Sequence, residues 1–90
     1  MPQIVIYTTA TCPYCRAAKH LLDVKKVAYQ EIPVDGDPAR RAEMSRLAEG
    51  RTTVPQIFID GQPIGGCDDL HALEAAGELD RMLTANEQAT

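Results

Sequence analysis

Ile4-Val5-Ile6-Tyr7-Thr8-Thr9-Ala10-Thr11-Cys12-Pro13-Tyr14-Cys15 decides how the rest of the chain is read. Its first four residues are a continuous apolar run rich in β-branched side chains, which predicts a buried central strand. Thr8 to Thr11 predict a polar loop. Two thiols three positions apart follow, with a Pro directly after the first. Pro fits the first turn of a helix, where its missing N–H would have had no partner. Positions three apart share a helix face. Cys12 is therefore expected to cap the helix, exposed, with Cys15 one turn in. The helix start carries about half a positive charge and free N–H groups, which favour a thiolate at Cys12. The spacing points to a thiol pair that closes into a disulfide ring and opens again. Cys12 and Cys15 are the candidate catalytic residues.

Outward from this stretch, Ala17, Ala18, Leu21 and Leu22 recur at helical spacing between Pro13 and about Val24. The loosely alternating residues Val27 to Val34 predict a second strand. Strand, helix and strand then make a right-handed βαβ unit with parallel strands. Asp37-Pro38 predicts the cap and first turn of a second helix. It runs to about Ala48, with Met44, Leu47 and Ala48 on its apolar face and Gly50 at C′. Gln56-Ile57-Phe58-Ile59 predicts a third strand. Asp60-Gly61 is a type I′ hairpin signal. Gln62-Pro63-Ile64 returns as a fourth strand at a sheet edge, because Pro63 cannot donate to a ladder. After the turn at Gly65-Gly66-Cys67, a last helical segment carries Leu70, Leu73, Leu79, Met82 and Leu83, broken in two by Gly77. Residues 1–84 are expected to form one domain, with a frayed tail at 85–90.

Ninety residues fit one domain with a modest core, and with no Trp and one Phe that core must be aliphatic. A formal charge of −4 leaves no basic footprint for nucleic acid. No apolar run is long enough for a membrane helix, so no membrane partner is expected. Met1-Pro2-Gln3 lacks the charged start of a secretory signal. Three Cys are too few for a disulfide scaffold, which fits a reducing cytoplasm and a catalytic pair. A zinc site normally needs four ligands, and only Cys67, His20 and His71 remain beside the pair, so no metal is expected.

The element order β-α-β-α-β-β-α with Cys-x-x-Cys after the first strand resembles the thioredoxin-like arrangement. That resemblance implies an α/β fold with a four-stranded mixed sheet and helices on both faces. Cys12-Pro13-Tyr14-Cys15, Thr53-Val54-Pro55 and Gly65-Gly66-Cys67-Asp68-Asp69, in this order, resemble a dithiol glutaredoxin of the small bacterial type. Over residues 3–84 the resemblance implies a monomeric, glutathione-dependent reductase of protein disulfides and protein–glutathione mixed disulfides. Glutathione is the co-substrate, itself regenerated by NADPH and glutathione reductase. Cys12 is then the nucleophile and Cys15 the resolving thiol. Pro55 is a cis proline beside Cys12. Tyr14 lines the substrate groove together with Thr53. Val54 pairs its backbone with the cysteine of glutathione. Gly66, Cys67 and Asp68 hold the γ-glutamyl end, and Arg41 faces the glycine carboxylate.

The residues themselves suit that ligand. Backbone beside a Pro has free donors and acceptors, so Val54 can add a short extended ligand like a strand. The Gly66-Cys67-Asp68 turn opens a helix whose N–H groups make a carboxylate site, and Asp68 can bind an ammonium. One departure stands out. Many glutaredoxins carry Lys three residues before the first Cys, where this chain has Thr9. A Lys there would place a cation near Cys12 and near the bound carboxylate. Two rivals remain. One is a cluster-binding module in which Cys12 and glutathione ligate a [2Fe–2S] centre between two subunits. Monothiol relatives with Cys-Gly-Phe-Ser resemble that better. The other is a thiol carrier reduced by a flavoenzyme and indifferent to glutathione.

Overall fold

The apolar run at the start of the chain folds into β1 (Ile4–Thr8), which lies inside the sheet between two partners. The computed structural model describes the backbone of residues 3–88 and the side chains of residues 3–83. After β1 come α1 (Pro13–Val24), β2 (Gln30–Pro33), α2 (Pro38–Leu47), β3 (Gln56–Ile59) and β4 (Gln62–Gly65), then α3 (Cys67–Ala75) and α4 (Glu78–Gln88). The sheet order is β2-β1-β3-β4. β1 runs parallel to β2 and antiparallel to β3, and β3 pairs antiparallel with β4. This is the mixed four-stranded sheet expected of a thioredoxin-like α/β fold, with Pro63 on an edge strand.

Strand side chains alternate between faces. Ile4, Ile6, Ile57 and Ile59 pack under Ala18, Leu21 and Leu22 of α1 and under Leu70, Leu79 and Leu83 of the last two helices. Tyr7 and Phe58 point the other way, onto Val34 and onto Met44 and Ala48 at the end of α2. Helices therefore cover both faces. The Tyr7 and Phe58 rings meet edge to face at 5.6 Å. Asp60 and Gly61 both have positive φ, 52° and 81°, as a type I′ turn requires. Gly77 ends α3 at a positive φ of 76° and separates it from α4.

Several local expectations need correction. The second strand is four residues, not eight. Val27 ends α1 through a bond from its N–H to the Leu22 carbonyl, 3.4 Å, with Lys26 left-handed before it. Val27 and Tyr29 pack on the core instead of pairing. Ala17 and Leu47 are exposed, while Ala18 and Met44 take the core positions. The left-handed C′ residue of α2 is Glu49. Gly50 stands one further on, its N–H reaching the Ser45 carbonyl at 2.8 Å as in a Schellman motif. The α4 backbone runs to Gln88. Residues 89 and 90 lie outside the described residues. Among the described residues, no helix is long and apolar enough to cross a membrane.

Candidate active site

Pro13 occupies the first turn of α1 and Cys12 is its N-cap. The N–H of Cys15 donates to Cys12 Sγ at 3.1 Å. That bond satisfies a helix-end donor. Cys12 is less open than expected, at 9% exposure. Its thiol faces the Val54 carbonyl, a long and weak contact of 3.7 Å. Cys15, one turn in, is 1% exposed. Burial pushes its thiol up to about 12, and the hydrogen bond with Cys12 adds to the rise. All three cysteines are free thiols. The two motif thiols thus differ in the way disulfide exchange requires, one at a helix end with an N–H on its sulfur, the other buried and held protonated.

A groove of about 420 Å³ runs beside Cys12, between the segment before β3 and the start of α3. Thr53, Val54 and Pro55 form one wall, and the Val54–Pro55 bond is cis, as the resemblance implied. Gly66, Cys67 and Asp68 form the other. Tyr14 stands over it at 64% exposure. Seven of the expected ligand residues are therefore together: Tyr14, Thr53, Val54, Pro55, Gly66, Cys67 and Asp68. Arg41 is not among them. Its guanidinium donates to the Thr52 carbonyl at 3.1 Å, so it braces the chain leading into the wall.

Arg51, which the sequence reading does not single out, also lines the groove, together with Asp69 of the α3 opening motif. Asp69 Oδ2 accepts from the Gly66 N–H at 2.9 Å and pairs with Arg51 Nη2 at 3.1 Å. The Gly66 N–H, and then Arg51, hold the Asp69 carboxyl below its ordinary range. Asp69 thereby fixes the turn that opens α3. An acidic residue three positions after an N-cap was the available signal. Cys67 lies against His71, Sγ to Nδ1 3.3 Å, and burial, with Asp68 and Cys12 nearby, pushes its thiol up. Thr9 does not line this groove. It lines a second one, with Cys15.

The family model for glutaredoxins matches residues 4–64. A glutaredoxin of Pseudomonas aeruginosa is 62% identical over 85 residues, covering 94% of this chain and all of the relative. Glutaredoxin 3 of Escherichia coli is 60% identical over 83 residues, covering 92% of this chain and 99% of the relative. Among solved structures, a Brucella melitensis glutaredoxin superposes with a TM-score of 0.79 at 49% identity, covering 90% of this chain and 87% of its own. A buckwheat glutaredoxin–glutathione complex superposes with a TM-score of 0.81 at 36% identity, covering 91% of this chain and 76% of its own.

Proposed function

The chain belongs to the glutaredoxin family, and from that premise we propose that this thiol-disulfide oxidoreductase takes its electrons from glutathione. Its substrates on this reading are protein–glutathione mixed disulfides and protein disulfides. The observation that carries the reading is the juxtaposition of Cys12 with a groove walled by Val54 backbone and by the opening of α3.

Glutathione is a short peptide with an ammonium and a carboxylate on one carbon. The Val54 backbone offers it strand-like bonds. The first N–H groups of α3 suit the carboxylate, and Asp68 suits the ammonium. In the first route the Cys12 thiolate attacks the glutathione sulfur of a glutathionylated protein. The S–S bond breaks, and the protein thiolate leaves with the electron pair and takes a proton from water. A second glutathione thiolate then attacks the glutathione sulfur on Cys12. Glutathione disulfide departs, and NADPH with glutathione reductase returns it to glutathione. In the second route Cys12 attacks a protein disulfide. Cys15 loses its proton and attacks Cys12 Sγ, the protein leaves as a dithiol, and the Cys12–Cys15 disulfide forms. Glutathione opens that ring. A buckwheat relative is known as a glutathione complex, which supports the choice of co-substrate. The protein on this reading acts as a monomer in the reducing cytoplasm.

The test is NADPH consumption in a mixture of glutathione, glutathione reductase and a glutathionylated peptide. The expected result is turnover that requires this protein and rises with glutathione. Turnover supported only by a flavoenzyme reductase, with no response to glutathione, would overturn the proposal.

A further inference from the structure

A second groove, of about 330 Å³, shares no lining residue with the first. It is bounded by the loop after β1, by α1 and by β2, and the buried Cys15 is among the residues that line it. So is Lys19, one helical turn on from Cys15. Lys19 Nζ is 3.0 Å from Glu31 Oε2, and the Thr8 hydroxyl donates to that same oxygen at 2.6 Å. Asp35, at the far edge, accepts from the Ala10 N–H at 2.9 Å. The charged and titratable groups around Cys15 are thus Cys12, Arg16 and Lys19 on α1, Glu31 on β2 and Asp35 beyond it, while residues 8–10 bring none. Burial and Cys12 disfavour the Cys15 thiolate, whereas a backbone bond with Thr9 and the charge of Lys19 favour it.

We propose that this groove is the proton exit of the resolving thiol, and that Lys19, anchored by Glu31 and Thr8, is the positioning residue whose charge promotes ring closure. The inference rests on the dithiol route above. In that step the Cys15 S–H gives its proton to water in the groove. The thiolate attacks Cys12 Sγ, the bond from Cys12 to the departing sulfur breaks, and that sulfur leaves with the electron pair. Neither member of the ion pair is the base. The Glu31 carboxylate holds Lys19 above its ordinary range, and the Thr8 hydroxyl and then Lys19 hold Glu31 below its own. At neutral pH both stay charged, so Lys19 acts through its field.

Lys19 is the smallest of the influences on Cys15, so a shift of about one unit is taken as the upper limit of its effect. At that limit the thiolate fraction falls about tenfold, the more basic thiolate regains about threefold in nucleophilicity, and the net slowing is about threefold. The experiment uses the full chain. Cys12 is loaded by glutathione disulfide, and glutathione release on ring closure is followed by rapid quench across pH. Lys19→Gln should close more slowly at neutral pH, by up to about threefold, with its rate rising at higher pH than in the parent. Lys19→Arg should restore the rate, and Glu31→Gln, which keeps the cation, should slow closure less than Lys19→Gln. Turnover of glutathionylated peptide in a Cys15→Ser background, which has no resolving step, should be insensitive to position 19. Unchanged closure in Lys19→Gln, equal slowing in Glu31→Gln, or equal slowing of the Cys15→Ser reaction would overturn the inference. Absence of glutathione turnover in the Cys15→Ser parent would instead strike the proposed function. Closure can then be triggered with a small aromatic disulfide and compared between the same position-19 variants.

Discussion

The two grooves beside α1 lie next to different thiols and are assembled differently. The Cys12 groove sets the Thr53-Val54-Pro55 segment against the opening of α3, with Tyr14 over it and the Arg51–Asp69 pair in its lining. The Cys15 groove brings Arg16, Lys19, Glu31 and Asp35 together beside residues 8–10. Backbone walls suit an extended peptide-like ligand, because their donors and acceptors repeat at strand spacing. Charged walls hold little in shape, but they set the cost of making an anion next to them. On the proposed reading, one thiol of the pair exchanges with the ligand and the other gives up its proton in the resolving step. The grooves should also break in different ways. The first should yield to changes at the reacting sulfur or in backbone geometry, the second to changes of charge.

The largest expected effect lies at the sulfurs. Cys12→Ser should abolish exchange with every substrate, whereas Cys15→Ser should keep reduction of glutathionylated peptide and lose the ring-forming route. Rates on a glutathionylated peptide decide this, and equal loss in both variants would erase the contrast between the two thiols. Next comes the end of β4, just before the turn that opens α3. Gly65 has φ of +113°, and a Cβ there would run into the Asp69 carboxylate and the Arg51 guanidinium. Gly65→Ala should cost about 1–3 kcal/mol of stability and disturb the α3 opening that Asp69 fixes. Urea unfolding reads this directly, and an unshifted midpoint would show that the turn tolerates a side chain.

A smaller effect is expected at Asp68. A charge-assisted bond is worth roughly 1.5–3 kcal/mol when shielded, but Asp68 is exposed. Solvent screening reduces the expectation to about 1 kcal/mol, or roughly fivefold in the KM for glutathione with kcat little changed. An unaltered KM in folded Asp68→Ala would remove this residue from the ligand site. The smallest effect belongs to the second groove at acid pH. Glu31 is held below its ordinary range, by the Thr8 hydroxyl first and Lys19 second. Its contribution is therefore fully present above the unfolded carboxyl range and fades as pH falls through the lower folded value. The pair is half-exposed, so the contribution is about 1 kcal/mol or less. Stability of the parent relative to Glu31→Gln should shrink between about pH 5 and pH 3. A constant difference across that interval would contradict the linkage.

The first groove was largely legible in the sequence and the second was not. Thr53-Val54-Pro55 and Gly66-Cys67-Asp68 are contiguous motifs, and each supplies a whole wall. The second groove gathers Thr9, Cys15, Lys19, Glu31 and Asp35 from three separate elements. Only the parallel register, which sets Ile6 opposite Glu31, brings β2 to the side of α1 where Lys19 reaches it. Thr9, where many glutaredoxins carry Lys, lines this second groove with Cys15. Arg51 was not legible as a lining residue, since no motif surrounds it and its place depends on the turn after α2 and on its pairing with Asp69. The fold was readable where pattern and chemistry coincided, as in β1 and the Asp60-Gly61 hairpin. Val27 and Tyr29 misled because apolar alternation is the same whether a residue pairs in a sheet or packs beneath a helix.

The central claim is that Cys12 is the thiol that exchanges with glutathione, beside a groove that receives it. Its most direct test is mass spectrometry of the Cys15→Ser protein after incubation with glutathione disulfide. The account predicts one glutathione per chain, attached at Cys12, released by fresh glutathione, with Cys67 unmodified. An adduct on Cys67 in place of Cys12, or no adduct at all in folded protein, would contradict it.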